Sequence, residues 1–235
     1  MRVTQKLLFG NFMRDVNKNR AEEGKVQSKL SRGKEIRVPS QGAVEFQRSR
    51  MLEENVRKEE QFQSNISSGL RQGRLAQDTI DKMIDGLVEI KGIAVKGASD
   101  SYGEKNRASM AEQVGGIRDT LASSLNLTYG DRYLFAGTNS DQAPFEVDEM
   151  TGVVTNNSNN TPAVIKAGDG VNIQFSLTGQ EVTNTAEGDL FTVINDLEQA
   201  LTDNDQQAIN NLLGSIDGVI EHVTDKASQL GNRIN

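Results

Sequence analysis

Phe62, Ile66, Gly69, Gly73, Ala76, Ile80, Met83, Leu87, Ile90 and Ala94 follow one another in alternating steps of four and three residues. That spacing is the a/d seam of a coiled coil and marks a long helix. The positions between are mostly Gln, Ser, Arg, Asp, Lys and Glu, as on a solvated face. A helix with one apolar stripe must lay it against another helix, in the same chain or in a neighbour. The glycines constrain the partner further. Each interior glycine costs about 1 kcal/mol relative to alanine. Gly69, Gly73, Gly86 and Gly92 therefore predict either a close approach of the partner or a bend.

Two further stripes supply partners. Met110, Val114, Ile117 and Leu121 step by four, three and four, and Leu125 extends them. Ile209, Leu213, Ile216, Ile220, Val223, Ala227, Leu230 and Ile234 repeat the pattern at the other end of the chain. The short link Gly97–Gly103 makes the first two helices antiparallel neighbours. A helix beginning near Asp189 carries Leu190, Val193, Ile194, Leu197 and Leu201. Asp203-Asn204-Asp205 reads as its break and as the next N-cap. A monomeric bundle and packing between subunits both satisfy the stripes from residue 42 onward.

The first 33 residues are sparser. Leu8 and Phe12, and Phe9, Met13 and Val16, have helical spacing, so a partner-dependent helix is expected, interrupted at Gly24. Val26 and Leu30 continue it weakly to Gly33, which reads as a C-cap. Lys34 to Ser40 is an extended loop, because Pro39 moves Val38 out of the helical region. Ser40 can cap a helix starting near Gly42 or Ala43, with Glu45 in its first turn.

Between residues 132 and 182 the period changes. Arg132–Ala136, Phe145–Val147, Gly152–Thr155, Ala163–Lys166 and Val171–Leu177 read as short strands. Asp169-Gly170 between the last two is a hairpin turn. Strict alternation predicts Val171, Ile173, Phe175 and Leu177 on one buried face.

Composition narrows the chemistry. Hydrophobic residues are 35% of 235, a low share that suits a thin core. The net charge of −7 argues against a nucleic-acid binder. With no cysteine, disulfides, thiolate metal sites and cysteine nucleophiles are excluded. No apolar run reaches the length of about 18 residues that a membrane span needs, and Met1 to Arg20 has no signal-peptide core. His222 stands next to Glu221 without a second ligand at helical spacing and reads as a surface side chain. Asp141, Glu146, Asp148 and Glu149 lack the order of a calcium loop. No phosphate, dinucleotide or hydrolase motif occurs. These readings predict no catalytic residue, no cofactor and no metal.

Four segments together resemble the flagellin family. They are Met1-Arg2-Val3-Thr4, the loop Leu30–Ser40, the segment Asp131–Thr138 with Pro144-Phe145, and Gln229–Asn235. The residues matching the family's motifs are Ser31, Gly33, Lys34, Ile36 and Pro39, then Arg132, Tyr133, Leu134, Phe135, Gly137, Pro144 and Phe145. The second group resembles junction members more than filament flagellins. The resemblance implies a mainly α fold: an elongated antiparallel helical bundle or coiled coil with a small β insertion. Its expected divisions are an arm and loop (1–41), bundle helices (42–131), a β-rich insertion facing outward (132–186) and closing bundle helices (187–235). It implies a secreted structural adaptor of the flagellum that joins hook to filament by axial self-assembly and leaves the cell without a cleaved signal. Its implied neighbours are an adjacent hook-associated protein, flagellin and further copies in a helical ring, with an export chaperone, no nucleic acid and no membrane insertion. A secreted coiled-coil binding module or a phage-tail-like component is the alternative. The family has a further amphipathic helix after its last motif, paired with the amino-terminal helix. These 235 residues end before it, so residues 1–33 are expected to order against neighbouring subunits.

The expected packing seam comprises Phe62, Ile66, Ile80, Met83, Leu87 and Ile90, then Val114, Ile117 and Leu121, then Ile209, Leu213, Ile216, Ile220 and Val223.

Overall fold

A computed structural model describes residues 2–33, 42–148 and 151–234. The chain divides into two compact units, one ending at Glu60 and one starting at Gln61. The first unit holds α1 (Arg2–Arg32) and the start of α2 (Ala43–Gly97). α1 runs straight through Gly24, where the sequence predicts an interruption. One glycine weakens a helix by about 1 kcal/mol but does not break it, and Ala21-Glu22-Glu23 and Lys25-Val26-Gln27 on either side favour the helix. Gly33 follows with φ +64, the left-handed conformation expected of a C-cap.

The second unit contains the rest of α2, α3 (Glu104–Leu125), α5 (Leu190–Thr202) and α6 (Gln206–Ile234). Their inner faces join in one core. A Cβ placed at Gly97 would lie 3.7 Å from Ile209, and one at Gly73 2.5 Å from Ile234. α2 and α6 therefore run antiparallel, and Lys91 Nζ pairs with Asp217 across them at 2.5 Å. Two glycines of the α2 stripe mark close approaches. The Phe175 ring fills the space at Gly69, and Ile234 and the Phe175 carbonyl crowd Gly73. Gly92 faces open space.

Four two-stranded antiparallel sheets make up the β region: β1 (Thr128–Tyr129) with β2 (Arg132–Tyr133), β3 (Phe145–Val147) with β4 (Val154–Asn156), β5 (Val164–Gly168) with β6 (Val171–Gln174), and β7 (Asn184–Thr185) with β8 (Gly188–Asp189). Leu134, Phe135, Phe145, Val154, Leu177 and Val182 belong to the same core as the helices. The β region is therefore sealed onto the bundle by its own apolar side chains.

Three local expectations change. The strand expected over Arg132–Ala136 stops at Tyr133, because Leu134, Phe135 and Ala136 are all buried. Three consecutive inward side chains are incompatible with strand alternation on a one-sided sheet. In the β5–β6 hairpin the Asp169-Gly170 turn forms, with Gly170 at φ +77. Val171, however, is 52% exposed and Ile173 half-buried; only Phe175 and Leu177 are buried. A two-stranded ribbon has cover only where it returns to α2, and there Phe175 packs on Gly69. A short helix, α4 (Gly179–Thr183), follows, too short for its apolar residues to show a helical period. Thr178 and Glu181 hold it in a capping box: Glu181 N donates to Thr178 Oγ1 at 3.1 Å and Thr178 N to Glu181 Oε2 at 2.8 Å.

Candidate functional site

In the first unit the apolar positions of α1 face outward. Leu8, Phe9 and Phe12 are each more than 60% exposed, and Leu30 is 84% exposed. On the α2 segment of this unit Val44, Met51, Leu52 and Val56 are also exposed. Singly exposed apolar residues are ordinary, but a contiguous helix face of large ones marks a binding surface. The aromatic and aliphatic rows of α1 are therefore the candidate interaction face. They can bind another apolar surface and offer no group for acid–base or nucleophilic work.

In the second unit the expected seam lies mostly inside. Phe62, Ile80, Met83, Leu87 and Ile90 of α2 are buried, as are Val114 and Leu121 of α3 and Ile209, Ile216 and Val223 of α6. Ile66, Ile117, Leu213 and Ile220 are half-buried. Ile93 and Val219, outside the expected seam, are fully inside. On α3 the inner face passes through Ala111, Val114, Arg118 and Leu121, leaving Ile117 at its edge against Gly86.

Arg118 is buried although a charged side chain ordinarily signals solvent. Its Nη1 donates to Asn195 Oδ1 at 3.0 Å and pairs with Glu198, and its Nη2 pairs with Asp119 at 2.9 Å. Gly152 packs directly on the guanidinium, where any side chain would collide. Arg107 closes the far end of the bundle in a similar way. Its Nε donates to Gly97 O at 2.7 Å, Nη2 to Ser99 O at 3.0 Å and Nη1 to Asn204 Oδ1 at 2.5 Å. Asn204 holds a left-handed φ of +56 in the α5–α6 turn. Asp205 caps α6, accepting from Ala208 N at 3.0 Å. Buried arginines are tolerable only when their donors are satisfied, as these are.

The motif residues fall into three groups. Ser31 and Gly33 are exposed at the end of α1, and Lys34, Ile36 and Pro39 lie outside the described residues. Arg132 is exposed and Tyr133 half-buried on β2. Leu134, Phe135, Gly137, Pro144 and Phe145 are buried. Phe135 O accepts from Gly179 N at 2.7 Å, and Phe145 stacks obliquely on Phe191 with centroids 5.6 Å apart. Asn126 clasps the Phe145 backbone on both sides: its Nδ2 donates to Phe145 O at 2.7 Å, and Phe145 N donates to its Oδ1 at 3.0 Å. Gly137 sits at φ +71, and an added Cβ would meet Asn159 and, at 2.8 Å, the Thr161 carbonyl. The buried group thus pins the β region to the helices. Gly137→Ala is expected to destabilise the second unit by about 2 kcal/mol, measured by urea denaturation.

Other polar residues are structural. His222 Nε2 lies 3.0 Å from Glu181 O and is half-buried, joining α6 to α4 rather than standing free at the surface. Arg71 Nε donates to the Tyr129 hydroxyl at 3.1 Å, and this bond, with Ser68, lowers the phenol's pKa from its ordinary value. Among the described residues no group of three or more His, Cys, Asp or Glu could hold a metal ion. No described helix is long and apolar enough to cross a membrane.

The family described as the bacterial flagellin N-terminal helical region matches residues 5–140, more than half of the chain. Flagellar hook-associated protein 3 of Salmonella typhimurium is 25% identical over 153 residues, covering 65% of this chain and 48% of that protein. The Escherichia coli protein of the same name is 23% identical over 150 residues, covering 63% and 47%. The chain thus spans about half the length of these relatives. Among solved structures, a putative flagellar hook-associated protein of Vibrio parahaemolyticus is similar with a TM-score of 0.74 and 23% identity, over 84% of this chain and 90% of that one. The flagellar junction protein FlgL of Legionella pneumophila follows with a TM-score of 0.68 and 14% identity, over 80% and 98%. At these identities the two structures speak for the fold.

Proposed function

Since the chain belongs to the family of the bacterial flagellin N-terminal helical region, we propose that it is a structural adaptor of the bacterial flagellum, joining hook to filament by axial self-assembly. The observation that carries this reading is the contrast between its two units. The second has a continuous core of its own, whereas the first turns Leu8, Phe9, Phe12 and Leu30 outward. An assembly element that acquires its core from neighbours has this character. The names of the two hook-associated relatives support the same role.

In this reading residues 1–41 are the assembly arm and its loop, with Ser31 and Gly33 at the end of α1. Residues 42–131 and 187–235 supply the bundle, and residues 132–186 form the outward insertion. The seam residues, Leu87 and Ile216 among them, keep the bundle rigid so that axial load passes through it. The neighbours are other copies, an adjacent hook-associated protein and flagellin, and an export chaperone meets the chain before it leaves the cell. The protein acts outside the cell, is exported without a cleaved signal and catalyses no reaction.

The test is electron microscopy of a strain lacking the gene. Cells that keep hooks but lose filaments, and regain them when the gene is restored, support the adaptor role. Full-length filaments in the deletion strain would overturn it. A purified chain that binds one partner in a closed one-to-one complex and never polymerises would point instead to a binding module.

A further inference from the structure

Asp-Gly occurs three times in the chain, at Asp85-Gly86, Asp169-Gly170 and Asp217-Gly218. In such a pair the glycine nitrogen can attack the side-chain carboxyl carbon of the aspartate before it, because glycine has no Cβ to obstruct the approach. The attack needs a carboxyl without partners, an N–H without a hydrogen bond, and a backbone free to rotate. The fold supplies all three at one pair and withholds them at the other two.

Gly86 lies inside α2 and Gly218 inside α6. In an α-helix each N–H is held by the carbonyl four residues back, and ring closure would break that ladder. Leu121 closes in on Gly86, and the Glu187 carboxylate on Gly218. The Asp217 carboxylate is also paired with Lys91. Asp169 and Gly170, by contrast, form the tip of the β5–β6 hairpin, and both are exposed. Among the described residues no hydrogen bond or ion pair holds the Asp169 carboxylate, and the Gly170 N–H has no acceptor. A Cβ added at Gly170 would meet nothing within 4 Å. The tip is also free to turn: none of residues 166–172 belongs to the core, and Phe175, buried against Gly69, anchors only the base of the hairpin.

We propose that Asp169 is a site of spontaneous modification, where the Asp169-Gly170 link closes to a succinimide and reopens as isoaspartate. The Gly170 nitrogen bonds to the Asp169 side-chain carboxyl carbon and loses its proton, and one carboxyl oxygen leaves as water. Water then opens the ring at either carbonyl. Opening at the former main-chain carbonyl leaves the chain running through the Asp169 side chain, with a free carboxylate where the backbone carbonyl was. The sum is an isomerisation that needs no oxidant and leaves the charge unchanged. It adds one methylene to the main chain at the hairpin tip, next to the place where the β5–β6 register already shifts between Lys166 and Gly168. The core below is untouched. The inference stands apart from the assembly reading, because the reaction needs only the folded chain and water.

The test ages the full chain for several weeks at neutral pH and body temperature, one portion folded and one in urea. The probe is isoaspartyl methyltransferase with labelled S-adenosylmethionine, and electron-transfer fragmentation locates the labelled residue. In the folded portion Asp169 is expected to carry at least about tenfold more label than Asp85 or Asp217, because amides inside a helix open far less often than those of an exposed turn. In urea the three pairs are expected to label alike. Asp169→Glu is expected to lose the label at that position, since its longer side chain would have to close a larger ring, and to melt like its parent by circular dichroism. A folded chain without label at Asp169, label spread evenly over the three pairs in the folded chain, or a D169E chain labelled there like its parent overturns the proposal. So does a preference for Asp169 that persists in urea, since the fold would then not be its cause.

Discussion

Leu87→Asp is expected to unfold the second unit of this protein at ordinary temperature, and Ile216→Asp to do the same. Leu87 is 1% exposed and Ile216 2%, on the facing sides of α2 and α6. Removing such a side chain forfeits roughly 1.5–3 kcal/mol of burial, and the vacated space adds a cavity penalty. The new carboxylate then lies in an apolar seam with no cation designed for it, which costs several kcal/mol more. The sum approaches the whole stability of a domain, about 5–15 kcal/mol. Val88→Asp, one residue along on the exposed face, is the control and is expected to leave the melt nearly unchanged. Circular dichroism melts of the three variants decide the matter. A Leu87→Asp chain that melts like its parent would mean that the α2 stripe is not the core.

The stripes of α2 and α6 were legible because they rest on a single periodicity repeated over many turns. Where reading and structure part, the reasons are specific. A straight helix drifts from a 3.5-residue repeat, so Val219 moves inside and Ile220 to the edge. Arg118 takes a core position of α3 because its donors are met by Asn195, Glu198 and Asp119. The first two of those partners lie about eighty positions away along the chain, and no local pattern announces them. The same holds for Arg107 and Asn204, and for Asn126 clasping Phe145. The β region was legible as a change of period and as one hairpin turn. Its pairings were not, since strands of two or three residues carry too few alternations to fix a register. The candidate interaction face was visible as helical spacing in α1, but its exposure depends on what the fold leaves uncovered.

Deleting residues 1–33 is expected to leave the melting temperature of the second unit nearly unchanged and to abolish incorporation at the hook tip. The first half of that expectation follows from burial. Every described large apolar side chain of α1 except half-buried Val16 is exposed, and none belongs to the core of the second unit. Removing it takes no side chain out of that core. The second half follows from what α1 lacks. A helix of this composition, weakened by Gly10 and Gly24 and with exposed Leu8, Phe9 and Phe12, draws most of its stability from a tertiary partner. In the assembly reading neighbouring subunits supply that partner, and the arm orders as it binds. Limited proteolysis of the free chain is expected to cut within residues 1–33 well before the second unit. A motility assay with the truncated gene then reads function, with the melt of the purified truncation as its folding control. Truncated protein that restores filaments, or an arm that resists protease in the free chain, would remove α1 from the assembly role.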